Sequence, residues 1–248
     1  MFEYSSTGIT RGIRLVAAIG SIGLISACSD SGNSFTPAPE FSVDPETVDV
    51  SQADVCDIIQ PDKCGFPYPN NFFSVADGDS DTGRRINLNP VAIPATSEGV
   101  EFDPTEFNRN DGFSQGSPIL VEIPGLDLEA SGVAPITDMA LSLEPGAPIQ
   151  LIHATTGERQ LIWAEWDVRP DSAERRALTI RVARNLQPGE RYIVALQNLH
   201  AEDGSRIPSS DAFTVFKEGA PSDIPAFEDR RDNFEDIFAI LADAGIQR

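Results

Sequence analysis

Between residues 118 and 217 short apolar runs are separated by turn signals, and this spacing constrains the fold more than any other feature of the chain. The runs are residues 119–123, 139–143, 149–153, 161–167, 178–183, 192–197 and 212–216. Short apolar stretches at this spacing are the mark of antiparallel strands joined by turns, and seven in about 100 residues fit two packed sheets. In the fifth run Leu178, Ile180 and Val182 share one face while Thr179, Arg181 and Ala183 share the other, the period of a half-buried strand. Tyr192, Val194 and Leu196 repeat the pattern. The expectation is an all-β antiparallel β-sandwich over residues 118–217.

One turn adds detail. Leu186-Gln187-Pro188-Gly189-Glu190-Arg191-Tyr192 has the L-x-P-x-x-x-Y spacing that resembles the tyrosine corner of immunoglobulin-like and fibronectin type III domains. There a Tyr hydroxyl bonds back to the preceding loop. On that resemblance the sandwich is Ig-like or fibronectin-like.

The N-terminus reads as an address. Arg11 and Arg14 precede a 13-residue run, LVAAIGSIGLISA (15–27), the build of a secretory signal and short of the roughly 20 residues that span a bilayer. It ends in Ile25-Ser26-Ala27-Cys28, which resembles the lipobox of bacterial lipoproteins. The resemblance implies lipidation of Cys28, cleavage before it, and attachment to a membrane of the cell envelope by acyl chains that contribute about 0.8 kcal/mol per buried CH2. Ser29, in place of the Asp typical of inner-membrane retention, favours the outer membrane; Asp30 one place later weakens that signal. Residues 1–27 are then the lipoprotein signal peptide and residues 28–50, rich in Ser, Pro and acids, a disordered tether.

Export also accounts for the cysteines. With Cys28 lipidated, Cys56 and Cys64 remain to pair in an oxidising compartment. Closing so short a loop contributes about 2.5 kcal/mol on the chain-entropy model. Residues 51–117 around this pair hold Pro, Asn, Asp and Phe in short clusters and read as an irregular, loop-rich segment stapled by the disulfide. Residues 218–248 turn helical. Pro225 suits a first turn, Phe227, Phe234, Ile237, Phe238 and Leu241 recur at helical spacing, and Gly245 suits a C-cap. The expectation is an amphipathic helix whose apolar face leads to a downstream domain missing from this sequence.

Acids outnumber bases by 39 to 18, a net charge of −21, and this opposes binding to nucleic acid, whose affinity comes from Lys and Arg displacing counterions. Gly112-Phe113-Ser114-Gln115-Gly116 has the G-x-S-x-G form of a nucleophile elbow. An elbow needs an apolar strand before the Ser and a helix after it, whereas polar Asn108 to Asp111 precede and Ser117-Pro118 leads into a strand. The two histidines, His153 and His200, read as structural or solvated. No catalytic residue is evident. Asp77, Asp79 and Asp81 alternate as in a calcium loop, but an EF-hand would place Gly and Glu where Thr82 and Leu88 stand. Calcium is a minor candidate beside a solvated acidic turn, and no other cofactor is implied.

Pro67-Tyr68-Pro69-Asn70-Asn71-Phe72-Phe73, then Asp81-Thr82-Gly83 through Ile86-Asn87-Leu88-Asn89-Pro90, then Asn110-Asp111-Gly112-Phe113-Ser114 with Ser117-Pro118-Ile119 together resemble the N-terminal domain of bacterial virulence-factor-type extracellular lipases. The following region, with its Pro-Gly-x-x-Tyr turn and Asp203-Gly204, resembles SbsA-type bacterial Ig-like domains. The resemblance covers about residues 55–216 and implies a non-catalytic domain that precedes an α/β-hydrolase domain. No family catalytic residue has a counterpart here. The function expected is that of a lipid-anchored accessory region of a larger exported lipase- or esterase-like hydrolase, spacing and packing against its catalytic domain. The alternative is a stand-alone surface lipoprotein that binds a protein or polysaccharide partner.

Overall fold

A computed structural model describes residues 2–4, 40–93, 95–168 and 176–248. The lipobox with Cys28 and residues 28–39 of the expected tether lie outside the described residues. Residues 40–50 are not the disordered tether expected: Phe41, Val43, Val48 and Val50 pack against a buried core, and Ser42 N donates to Glu218 at 2.7 Å. The strands are β1 (Phe2–Tyr4), β2 (Ser74–Ala76), β3 (Arg84–Ile86), β4 (Ile119–Val121), β5 (Ile149–His153), β6 (Ile162–Trp166), β7 (Leu178–Val182) and β8 (Tyr192–Leu196). Two α-helices follow, α1 (Asp211–Glu218) and α2 (Pro225–Asp243).

The all-β sandwich expected from the sequence is not what forms. The described chain is a mixed α and β structure with small antiparallel sheets ordered β1-β8-β5, β4-β7-β6 and β2-β3; β1 lies within residues 1–27, so cleavage before Cys28 would remove it and leave that edge of β8 unpaired. Five of the seven apolar runs carry strands, and two do not. Residues 212–216 lie in α1: Ala212, Val215 and Phe216 are its buried positions, a spacing of three and four that belongs to a helix. Its ends are capped, Ser210 Oγ accepting from Phe213 N at 3.3 Å and Gly219 taking the left-handed conformation with φ 67°, which a glycine adopts without steric cost. Residues 139–143 belong to a kinked 3₁₀ segment, Ile136–Leu143, with its break at Asp138. It buries only Ser142, whose hydroxyl accepts from Ile162 N at 3.1 Å, and leaves Leu141 and Leu143 exposed.

The helices are there because the sheet of β5 and β8 is apolar on both faces. Ile149 and Leu151 with Tyr192 and Val194 face a core shared with Ile119, Ile162, Leu178 and Ile180 of the second sheet. Ile152, Ile193 and Ala195 face a second core built from α1 and α2. A run such as Tyr192-Ile193-Val194-Ala195-Leu196 alternates if alternate positions alone are read, but it carries no polar residue and so demands cover on both sides. β7 differs, with Arg181 exposed opposite buried Ile180.

In α2 the expected apolar positions Phe227, Phe234, Ile237, Phe238 and Leu241 are all buried in the chain's own second core, against Ala212, Val215 and Phe216 of α1. Phe216 and Phe234 stack with centroids 3.9 Å apart. Just past the helix end Gly245 takes φ 81°, and Ile246 N donates to Leu241 O at 2.8 Å. The bare face expected to meet a downstream domain is therefore covered.

Candidate binding groove

The segment 51–117 is irregular, as its Pro- and Asn-rich sequence predicts, but one buried centre fixes it. A disulfide joins Cys56 to Cys64, and beside it the Asp57 side chain is fully buried. Asp57 accepts from both Arg230 nitrogens, at 2.5 and 3.1 Å, from Asn70 Nδ2 at 2.5 Å and from Ile59 N at 3.1 Å. A buried carboxylate is tolerable only when so many donors face it. The Arg230 guanidinium also lies over Phe72, Phe216 and Phe234, 5.1 to 5.9 Å from their centroids. One ion pair thus holds the disulfide loop, the Asn70 turn and α2 together.

Elsewhere the chain forms a groove of about 660 Å³. Three segments wall it. The first runs from Asp81 to Leu88 through β3, the second is the turn 110–117 with Phe107, and the third is the corner 186–192. Main-chain bonds tie the walls: Ile86 N to Asn110 O at 2.9 Å, and Leu186 N to Gln115 O at 3.1 Å. Thr82 Oγ1 donates to Asp111 O. The lining also includes Tyr68, which exchanges main-chain bonds with Leu120 and meets Phe113 edge to face at 5.4 Å.

At the corner, Tyr192 Oη accepts from Gln187 N at 3.0 Å. Gly189 makes the intervening turn with φ 78°, a conformation that disfavours any side chain. Burial raises the Tyr192 phenol above its usual range; the Gln187 bond opposes this, and Glu190 and Glu158 add to it. Burial alone raises that of Tyr68. Both phenols are therefore neutral hydrogen-bonding groups at neutral pH rather than bases.

Ser114 is exposed on the groove wall, in a turn closed by Ser117 N donating to Ser114 O at 3.0 Å. The turn runs into β4, so the strand-turn-helix frame of an elbow is absent here. Neither histidine serves Ser114. His153 is buried, meets the Tyr192 ring edge to face, accepts from Thr155 N at Nδ1 and lies 3.6 Å from Glu190 through Nε2. His200 bridges to Arg206, and its carbonyl accepts from Asp127 N and Ser131 Oγ.

The alternating Asp loop is spent on structure. Asp77 Oδ2 accepts from Arg85 Nε at 2.8 Å, and Oδ1 from Asp79 N at 3.0 Å. The Arg85 bond is the main cause that holds the Asp77 carboxyl below its ordinary range. Asp81 lines the groove. Among the described residues no three His, Cys, Asp or Glu side chains are grouped to hold a metal ion, so Asp77, Asp79 and Asp81 do not form a calcium site.

The ion pair of Asp57 with Arg230 was not anticipated from sequence. One signal was present: Arg230 stands three residues after Phe227 and four before Phe234, on the apolar side of α2, where a charge needs a buried partner. Nothing local marks Asp57 as that partner.

Comparison with family models, with curated proteins and with solved structures finds no match to this chain.

Proposed function

We propose that the chain is a lipid-anchored, non-catalytic accessory region of a larger exported lipase- or esterase-like hydrolase. The observation that carries this reading is that the motifs resembling such a domain meet in space. Residues 67–73, 81–90 and 110–114 lie far apart in sequence, yet they share the Ile86–Asn110, Asn87–Phe73 and Thr82–Asp111 bonds, and Tyr68 bonds to Leu120, the residue after the 117–119 motif. A motif set that builds one local structure is what a domain signature amounts to. Ser114 stands in a turn that leads into a strand, not in a strand-turn-helix elbow. The disulfide is in keeping with an oxidising, extracytoplasmic location. Among the described residues no helix is long and apolar enough to cross a membrane.

A second reading is favoured by one specific observation, the burial of the α2 apolar face in the chain's own core. A chain that covers its own terminal helix has less need of a neighbouring domain, and a stand-alone surface lipoprotein with a protein or polysaccharide partner follows. Reading the source DNA past the Arg248 codon separates the two. The first reading expects an in-frame hydrolase domain with a nucleophile elbow and its Asp and His partners. An immediate stop codon refutes it and leaves the second.

A further inference from the structure

The groove has an asymmetry in its lining that neither reading uses. Asp81, Asp111 and Glu190 line it, and among the described residues no Arg or Lys does. Arg85 pairs with Asp77, Arg109 with Glu106 and Arg191 with Asp236, while Arg184, close to the lining in sequence, is exposed and outside it. Neither Asp81 nor Asp111 is paired with a basic side chain among the described residues. Among the described residues Glu190 faces the His153 imidazole and the Thr155 hydroxyl, at 3.6 and 3.4 Å.

The remainder of the lining suits the stems and backbone of a bound peptide. Phe107 is half exposed, Phe113 and Tyr68 also line the groove, and Gln115 and Gln187 bring amides to it. Aromatic rings accept the aliphatic stems of Lys and Arg and attract their charged heads, while amides bond to a peptide main chain. A volume of about 660 Å³ lies within the range of sites that enclose a small ligand or a few residues. The walls are tied to each other by main-chain bonds, so little ordering would accompany binding. A net charge of −21 would draw a basic partner from a distance.

We infer that this groove binds a basic peptide segment of a partner protein, with Asp81, Asp111 and Glu190 receiving Lys or Arg side chains and Phe107 packing on their stems. The site is distinct from catalysis and is independent of whether a hydrolase domain follows.

The test is fluorescence anisotropy of a labelled hexa-arginine peptide titrated with the purified chain at low salt. The expected result is saturable binding that weakens with added salt. It should weaken about tenfold in the Asp81→Asn, Asp111→Asn double variant and about threefold in Phe107→Ala, the ranges for loss of part-exposed charge pairs and one aromatic contact. An equally acidic control removes the same charge elsewhere. Asp229 and Asp232 are exposed on α2, which contributes nothing to the lining, and the Asp229→Asn, Asp232→Asn variant should change binding less than about twofold. Matching thermal melts show that each variant folds. Equal weakening in the two double variants overturns the proposal, since binding would then follow net charge alone. So does a peptide that fails to saturate, or preferential binding of a neutral oligosaccharide such as chitohexaose.

Discussion

Replacing Arg230 by Ala strips the principal partners from a carboxylate with no exposure to solvent. Asp57 would keep the Asn70 amide and the Ile59 N–H but lose two charge-assisted bonds at 2.5 and 3.1 Å. Breaking a buried pair from one side costs about 3–5 kcal/mol, because an unpaired charge is left behind. The guanidinium also leaves three phenylalanine faces, adding to that loss. Against a total stability of about 5–15 kcal/mol, this is a large fraction. For a chain of this size it corresponds to a fall in Tm of roughly 6–20 °C. Circular dichroism melts and urea titrations at fixed protein concentration measure it. The decisive comparison is Arg230→Ala against the same change combined with Asp57→Asn. Removing the buried charge should return part of the loss, so the double variant should be more stable than the single one. A loss below about 1 kcal/mol, or a double variant less stable than Arg230→Ala, would show that the pair does not hold the disulfide loop to α2.

Three further outcomes follow from the geometry. Tyr192→Phe leaves Gln187 N without its acceptor and should cost about 1 kcal/mol in urea denaturation; no change would remove the corner bond from the account. Changing Cys56 and Cys64 together to Ser should cost about 2.5 kcal/mol, and an unaltered urea midpoint would mean that the staple adds nothing. Asp77, Glu228 and Glu235 are held below their ordinary range first by hydrogen bonds from Arg85, Arg231 and Arg248 respectively. A lowered folded value means that the stabilisation is complete above the unfolded carboxylate range and is lost as pH falls through the folded value. Stability should accordingly be level from neutral pH down to about 5 and decline below about 4. The decline should be shallow for each pair because these groups are partly exposed to solvent; a midpoint that rises on acidification would contradict the sign.

What the sequence disclosed depended on whether a signal was local. Five strands could be placed to within two residues because their apolar runs are short and bounded by turns. α2 was legible from Pro225, its apolar spacing and Gly245. The 212–216 run was ambiguous over so few positions, and the cap signals that decide it, Ser210 and Gly219, lie outside the run. The fold class went wrong at β5 and β8, where reading one face of an unbroken apolar run hid the need for helices on the other. Of the groove, the Leu186–Tyr192 corner and the turn at Ser114 could be seen separately. Their approach could not, because the joining bonds span from Gln115 to Leu186 and from Ile86 to Asn110 and leave no mark on local composition.

The central claim is that the Ser114 turn belongs to a domain without hydrolytic chemistry. Hydrolysis of a short-chain p-nitrophenyl ester by the purified chain, beside its Ser114→Ala variant, tests it most directly. The predicted result is no turnover above buffer for either protein, with the two indistinguishable. Saturable hydrolysis that disappears in Ser114→Ala would contradict the claim and make the groove an active site.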